Sequence, residues 1–119
     1  MKKFVIMVTH GPQDPEKATI PFVMAVTAQA SGVEVVLGFQ ADGVSLVKKG
    51  VVEGVHFAPF PPLKELLDTY RKAGGKLYVC GPCLQSRSIN AADFVEGAMQ
   101  VNAATFVAEI MEAANSLVY

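Results

Sequence analysis

A net charge of −1 over 119 residues argues against nucleic acid as a partner, because nucleic-acid-binding proteins carry a strongly basic surface. The length fits one domain at 1–119, and an apolar share of 51% predicts a core with apolar surface left for contacts with further copies of the chain. The first apolar run ends at Val8, too short for a secretory leader, and no later run could span a membrane. We therefore expect a cytoplasmic homo-oligomer that has no membrane partner.

The first half of the chain alternates between strand patterns and helix patterns. The continuous apolar run Phe4 to Val8 is typical of a parallel strand covered on both faces. Asp14 before Pro15 predicts a helix start, because the carboxylate can accept from the first N–H groups and proline suits the first turn. The predicted elements are a strand at 4–8, a helix at 14–30, a strand at 33–39 and a short helix at 42–49.

The second half continues this alternation, with one segment open to two interpretations. Residues 51–55 fit either a poor strand or a loop. The other predicted elements are a helix at 63–73, a strand at 77–79, a helix from 81 to about 88, a short helix at 90–97, a helix at 102–114 and a strand at 117–119. This alternation predicts an α/β fold with a parallel sheet, right-handed crossovers and helices on both faces.

Both cysteines lie in the stretch Lys76–Arg87, three residues apart. Gly81 and Pro82 break the strand, and proline suits the first turn of a helix. Cys80 is therefore predicted to end the strand, with Cys83 one turn into the following helix. Unpaired N–H groups and the helix dipole stabilise an anion at such a position, and the thiolate is the nucleophilic form of cysteine. The motif indicates sulfur chemistry.

A histidine is predicted to lie at the same edge of the sheet as the cysteines. Ligands of parallel α/β sheets bind beyond the carboxyl ends of the strands. His10, Gln40 and Cys80 are all placed at the carboxyl ends of predicted strands, so they should share this edge. His10 could lie beside Cys80 and pair with its thiolate, which makes it a third candidate site residue.

Six segments, taken together in their order and spacing, resemble those of a known protein family over essentially the whole chain. They are Thr9–Pro12, Asp14–Ala18, Pro62–Leu66, Gly74–Lys76, Val79–Cys83 and Asn115–Tyr119. The chain resembles the DsrE/DsrF-like family of small sulfur-relay proteins. The resemblance implies a three-layer α/β/α sandwich with a mainly parallel five-stranded sheet of the flavodoxin-like kind. It also implies symmetric oligomers, often trimers or hexamers.

The same resemblance implies a persulfide-bearing cysteine at the end of the fourth strand, a position that Cys80 matches. The leading hypothesis is thus a sulfur carrier, in which Cys80 takes sulfur from a donor protein and passes it to an acceptor protein. This chemistry calls for an exposed cysteine with a low pKa, which the sequence predicts for Cys80. Cys83, which occurs in only part of the family, could act as a resolving thiol. Whether the protein turns over as a sulfurtransferase enzyme is left open.

Three other hypotheses are weighed against the carrier. Cys-Gly-Pro-Cys is the thioredoxin active-site sequence, so a thiol–disulfide redox protein is one, although no proline follows Cys83 to build a thioredoxin fold. A zinc site made from both cysteines with His10 and His56 lacks a second C-x-x-C or an H-x-x-x-H, and no metal is expected. The last is a non-catalytic oligomeric binding module. The chain has no nucleotide-binding motif, and no cofactor is expected.

Overall fold

The computed structural model describes residues 2–119 and, within them, contains five strands, four α-helices and three short 3-10 helices. The strands are β1 (Lys3–Val8), β2 (Glu34–Phe39), β3 (Lys76–Cys80), β4 (Ala98–Val101) and β5 (Asn115–Val118). The α-helices are α1 (Pro15–Ala30), α2 (Leu63–Lys72), α3 (Gly81–Gln85) and α4 (Ala103–Glu112). The 3-10 helices are Ala41–Val47, Val52–Gly54 and Ala91–Asp93.

All five strands run parallel in one sheet of order β4-β3-β2-β1-β5, which confirms the predicted parallel sheet. Val8 of β1 pairs with Phe39 of β2, and Phe39 pairs with Val79 of β3. The three central strands therefore end at one level, with Cys80 one residue beyond that row. This register brings the loops after β1, β2 and β3 together at the carboxyl edge.

Helices cover both faces of the sheet, so the predicted three-layer α/β/α arrangement is confirmed. Helices α1 and α2 cover one face, where Phe22 and Tyr70 belong to the larger core cluster. Helix α4 covers the other face, and Phe106 packs there in a smaller cluster with Val5 and Met7. Within residues 2–119, no helix combines the length and the apolar character that a membrane span needs.

The helix start at Asp14 is confirmed, because its Oδ1 accepts from the Lys17 N–H at 3.1 Å. Several other element predictions need correction. The segments predicted as helices at 42–49 and 90–97 form 3-10 helices at Ala41–Val47 and Ala91–Asp93, and α3 ends at Gln85 rather than near residue 88. The last strand lies at Asn115–Val118, displaced toward the N-terminus from the predicted one. Short elements like these depend on contacts outside their own segment.

The segment that the sequence left open between a strand and a loop is not a strand, and a strand lies elsewhere. The segment at 51–55 contains a 3-10 turn, whereas β4, which the sequence did not indicate, occupies Ala98–Val101. Met99 and Gln100 are exposed on this edge strand, so its sequence shows no apolar run and no alternation. Because β4 follows the cysteines, Cys80 ends the third strand in chain order and not the fourth.

Candidate functional site at the carboxyl edge

The junction of β3 and α3 places the two cysteines as the sequence predicts. Cys80 is the last residue of β3 and the N-cap residue of α3, and Pro82 lies in the first turn of the helix. Cys83 follows one turn later. Both are free thiols and both side chains are half-buried.

Cys80 is less acidic than the sequence suggested. Burial is the largest cause that raises the pKa of its thiol, and the neighbouring Cys83 side chain raises it further. The Cys83 amide and the charge of Arg87 oppose these effects, but the amide falls short of a full N-cap hydrogen bond. Helix α3 has only five residues and the sulfur packs against the core clusters, so the expected exposed, low-pKa Cys80 is corrected.

The sulfur of Cys83 has a different environment. Its Sγ accepts a hydrogen bond from the Ala41 N–H at 3.3 Å. Ala41 opens the 3-10 helix after β2 and has a positive φ of 50°, which costs energy in a residue with a Cβ. The loop after β2 thus directs a backbone donor at the second thiol of the motif.

An ion pair that sequence reasoning missed joins this loop to the segment after α3. Asp42 Oδ1 accepts from Arg87 Nη2 at 2.8 Å and from Arg87 Nε at 3.2 Å. Asp42 Oδ2 accepts from Gln13 Nε2 at 2.6 Å, and Arg87 Nη1 donates to the Cys83 carbonyl at 3.2 Å. The available signal was that Asp42 and Arg87 carry opposite charges in segments that the topology brings to one edge.

His10 lies at the predicted edge, but the strand that precedes it is not adjacent to β3. Its Nδ1 is 3.3 Å from Thr9 Oγ1, and it follows β1, which β2 separates from β3. Two strand spacings correspond to about 10 Å between the ends of β1 and β3. The role of His10 beside Cys80 stays a prediction. Gln40 borders the same edge, where its N–H donates to the Val8 carbonyl at 3.0 Å.

The second histidine lies outside the cysteine site. His56 Nε2 is 3.0 Å from the Phe60 carbonyl, within the loop that precedes α2. Among residues 2–119, no group of three or more histidine, cysteine, aspartate or glutamate side chains is arranged to hold a metal ion. The four residues weighed as zinc ligands therefore do not form a ligand set in the described structure.

Fold and site together define an α/β protein with a thiol pair at the carboxyl edge of an all-parallel sheet. Residues 2–119 match the DsrE/DsrF-like family, and the chain belongs to that family. Membership is consistent with sulfur relay at the level of the family, as the sequence segments indicated.

Individual similar proteins agree with this assignment. Uncharacterized protein MJ0989 of Methanocaldococcus jannaschii is 29% identical over 117 residues, covering 98% of this chain and 99% of the relative. The crystal structure of the YchN protein from E. coli superposes with a TM-score of 0.84 at 16% identity, covering 100% of both chains. The protein of unknown function MTH1491 from Methanobacterium thermoautotrophicum gives 0.77 at 11% identity, covering 98% of this chain and 99% of that one. At such low identities the two structures show the fold alone.

Proposed function

We propose that this protein is an intracellular sulfur carrier that holds sulfur as a persulfide on Cys80. The observation that carries the proposal is a pair of free thiols at the carboxyl edge of the sheet in a member of this family. Cys80 Sγ attacks the terminal sulfur of a donor persulfide, and the donor's own sulfur leaves as a thiolate. An acceptor cysteine thiolate then takes the terminal sulfur in the same way, which returns Cys80 to its thiolate.

The test is intact-protein mass spectrometry after incubation with polysulfide, with and without reductant, on wild type, Cys80→Ser and Cys83→Ser. We expect reductant-sensitive gains of whole sulfur atoms in wild type and in Cys83→Ser. Cys80→Ser should lose loading, because it lacks the proposed sulfur-carrying thiol. If Cys80→Ser gained as much sulfur as wild type, the assignment of Cys80 as the sulfur-carrying residue would be wrong.

A thiol–disulfide couple is the second candidate, and the placement of two free thiols at the cap and within the first turn of α3 favours it. In that case a disulfide oxidant takes two electrons from the pair, which forms the Cys80–Cys83 bond and releases two protons. The same mass spectra distinguish the two functions. A loss of two hydrogens in wild type, together with no sulfur adduct on Cys83→Ser, would support the redox couple over the carrier.

We also propose that the protein works as a homo-oligomer, a trimer or hexamer, with sulfur donor and acceptor proteins as its partners. An exposed apolar surface on α4, formed by Ala104, Val107, Ala108 and Met111, supports the oligomer. Val107 is 59% exposed and Met111 is 78% exposed, which is unusual for large apolar side chains spaced along one helix face. A second copy of the chain would bury this surface.

Val107→Lys and Met111→Lys are expected to convert the oligomer to monomers, because each places a charge in the proposed interface. Size-exclusion chromatography with light scattering gives the mass, and circular dichroism checks the fold. Thr69→Lys is the matched control, since it adds the same charge at an exposed position on α2. A monomeric wild-type protein would contradict the oligomer proposal.

A further inference from the structure

Cys83 is held from two directions, by Ala41, which is distant in sequence, and by Arg87, which lies four residues further along the chain. On one side, the Ala41 N–H donates to its sulfur at 3.3 Å. On the other side, Arg87 Nη1 donates to its carbonyl at 3.2 Å. Asp42 links the two sides, because it follows Ala41 in the chain and accepts twice from the Arg87 guanidinium at 2.8 and 3.2 Å.

We propose that Asp42 and Arg87 are positioning residues that hold the Ala41 N–H against Cys83 Sγ and so make Cys83 the reactive second thiol of the site. This inference rests on the proposed function and assigns a mechanism to Cys83. Asp42 is anchored by Gln13 at 2.6 Å as well as by Arg87, so the loop after β2 is fixed from both of its neighbours. A loop fixed in this way keeps Ala41 in its positive-φ conformation, with its donor directed at the sulfur.

The planar, forked guanidinium of Arg87 allows one side chain to bind both Asp42 and the Cys83 carbonyl. One guanidinium reaches the Asp42 carboxylate through Nε and Nη2 and the Cys83 carbonyl through Nη1. A lysine at this position carries the same charge but cannot reproduce the planar fork. Charge and positioning can therefore be separated by substitution.

A reactive Cys83 has a defined chemical consequence for the loaded protein. The Cys83 thiolate attacks Cys80 Sγ, a bond forms between the two cysteine sulfurs, and the bond from Cys80 Sγ to the terminal sulfur breaks. The terminal sulfur leaves as hydrosulfide with the electron pair of the broken bond. A dithiol reductant then supplies two electrons and two protons to restore both thiols. Cys83 thereby gives the carrier a route for releasing sulfide when no acceptor is bound.

The test measures the rate at which iodoacetamide alkylates Cys83 at pH 7.5 in a Cys80→Ser background, where Cys83 is the remaining cysteine. We expect Asp42→Asn and Arg87→Lys each to slow alkylation by about three- to tenfold, because the Cys83 sulfur loses the Ala41 donor that stabilises its thiolate. Asp68→Asn is the matched control, since that carboxylate pairs with Lys64 and Arg71 on α2.

A purely electrostatic role predicts different results for both substitutions. Removal of the Asp42 carboxylate would then leave the Arg87 charge unopposed and speed alkylation, while Arg87→Lys would leave the rate unchanged. Either result overturns the positioning role. The measurement needs no sulfur loading, so it is independent of the proposed function: a carrier that fails to load polysulfide can still show the positioning effect. Arg87 is partly exposed, so Arg87→Lys is expected to fold and keeps the proposal testable should Asp42→Asn not fold.

Discussion

Phe106→Ala is expected to lower the free energy of unfolding by about 3–5 kcal/mol, the range for truncating a buried phenylalanine. Phe106 is the buried side chain of α4 and fills the space above Gly38 in the smaller core cluster. A Cβ on Gly38 would lie 2.7 Å from the Phe106 ring, which shows how closely the ring approaches the sheet. Removing the ring leaves a cavity between α4 and β2.

Helix α4 is also joined to the sheet by the partly buried Ile110 and by ion pairs from Lys3 to Glu109 and Glu112, which contribute less than the buried ring. Lys3 Nζ lies 3.2 Å from Glu109 Oε2 at the opposite edge of the sheet. Partly exposed pairs of this kind contribute about 1 kcal/mol or less. The docking of α4 therefore depends mainly on the Phe106 ring.

Urea unfolding measures the Phe106 effect, with Phe57→Ala as the matched control. Phe57 is 36% exposed, so the same substitution there should cost much less than at Phe106. If both variants lost the same stability, the role of Phe106 in holding α4 to the sheet would be wrong.

Tyr70→Phe is expected to cost about 2–3 kcal/mol of stability, although it removes a single oxygen. The fully buried Tyr70 hydroxyl accepts from the Leu37 N–H at 3.1 Å and lies 2.6 Å from the Lys76 carbonyl and 3.0 Å from the Val35 carbonyl, to which it can donate. Burial strongly raises the pKa of Tyr70, so the hydroxyl keeps its proton and remains a donor. Phenylalanine would leave a buried N–H and carbonyl groups without this partner where β2 and β3 begin to pair.

Tyr78→Phe is the control for this substitution. Tyr78 is half-buried on β3, and within residues 2–119 its hydroxyl makes no hydrogen bond, so the change should be nearly neutral. Thermal or urea unfolding measures the change in stability for Tyr70→Phe and for Tyr78→Phe. A neutral Tyr70→Phe variant would show that the hydroxyl does not stabilise the junction of the two strands.

The sequence by itself determined the elements whose signals are local. The apolar runs of β1 and β2 predict buried parallel strands, and Asp14 before Pro15 marks the start of α1. The cysteine motif predicts a strand-to-helix junction because glycine and proline follow Cys80 directly. These features depend on residues that are neighbours in the chain, so the local residue pattern is enough to predict them.

Only the tertiary structure decided the features that depend on distant segments. Strand β4 exists because Ala98–Val101 pairs with β3, although its own residues have no strand pattern. The pKa of Cys80 is raised by packing around its sulfur, which outweighs the favourable end of a very short helix. Asp42 and Arg87 meet across 45 positions of sequence. Their contact follows from strand order and register, which bring three loops to one edge and which no local pattern specifies.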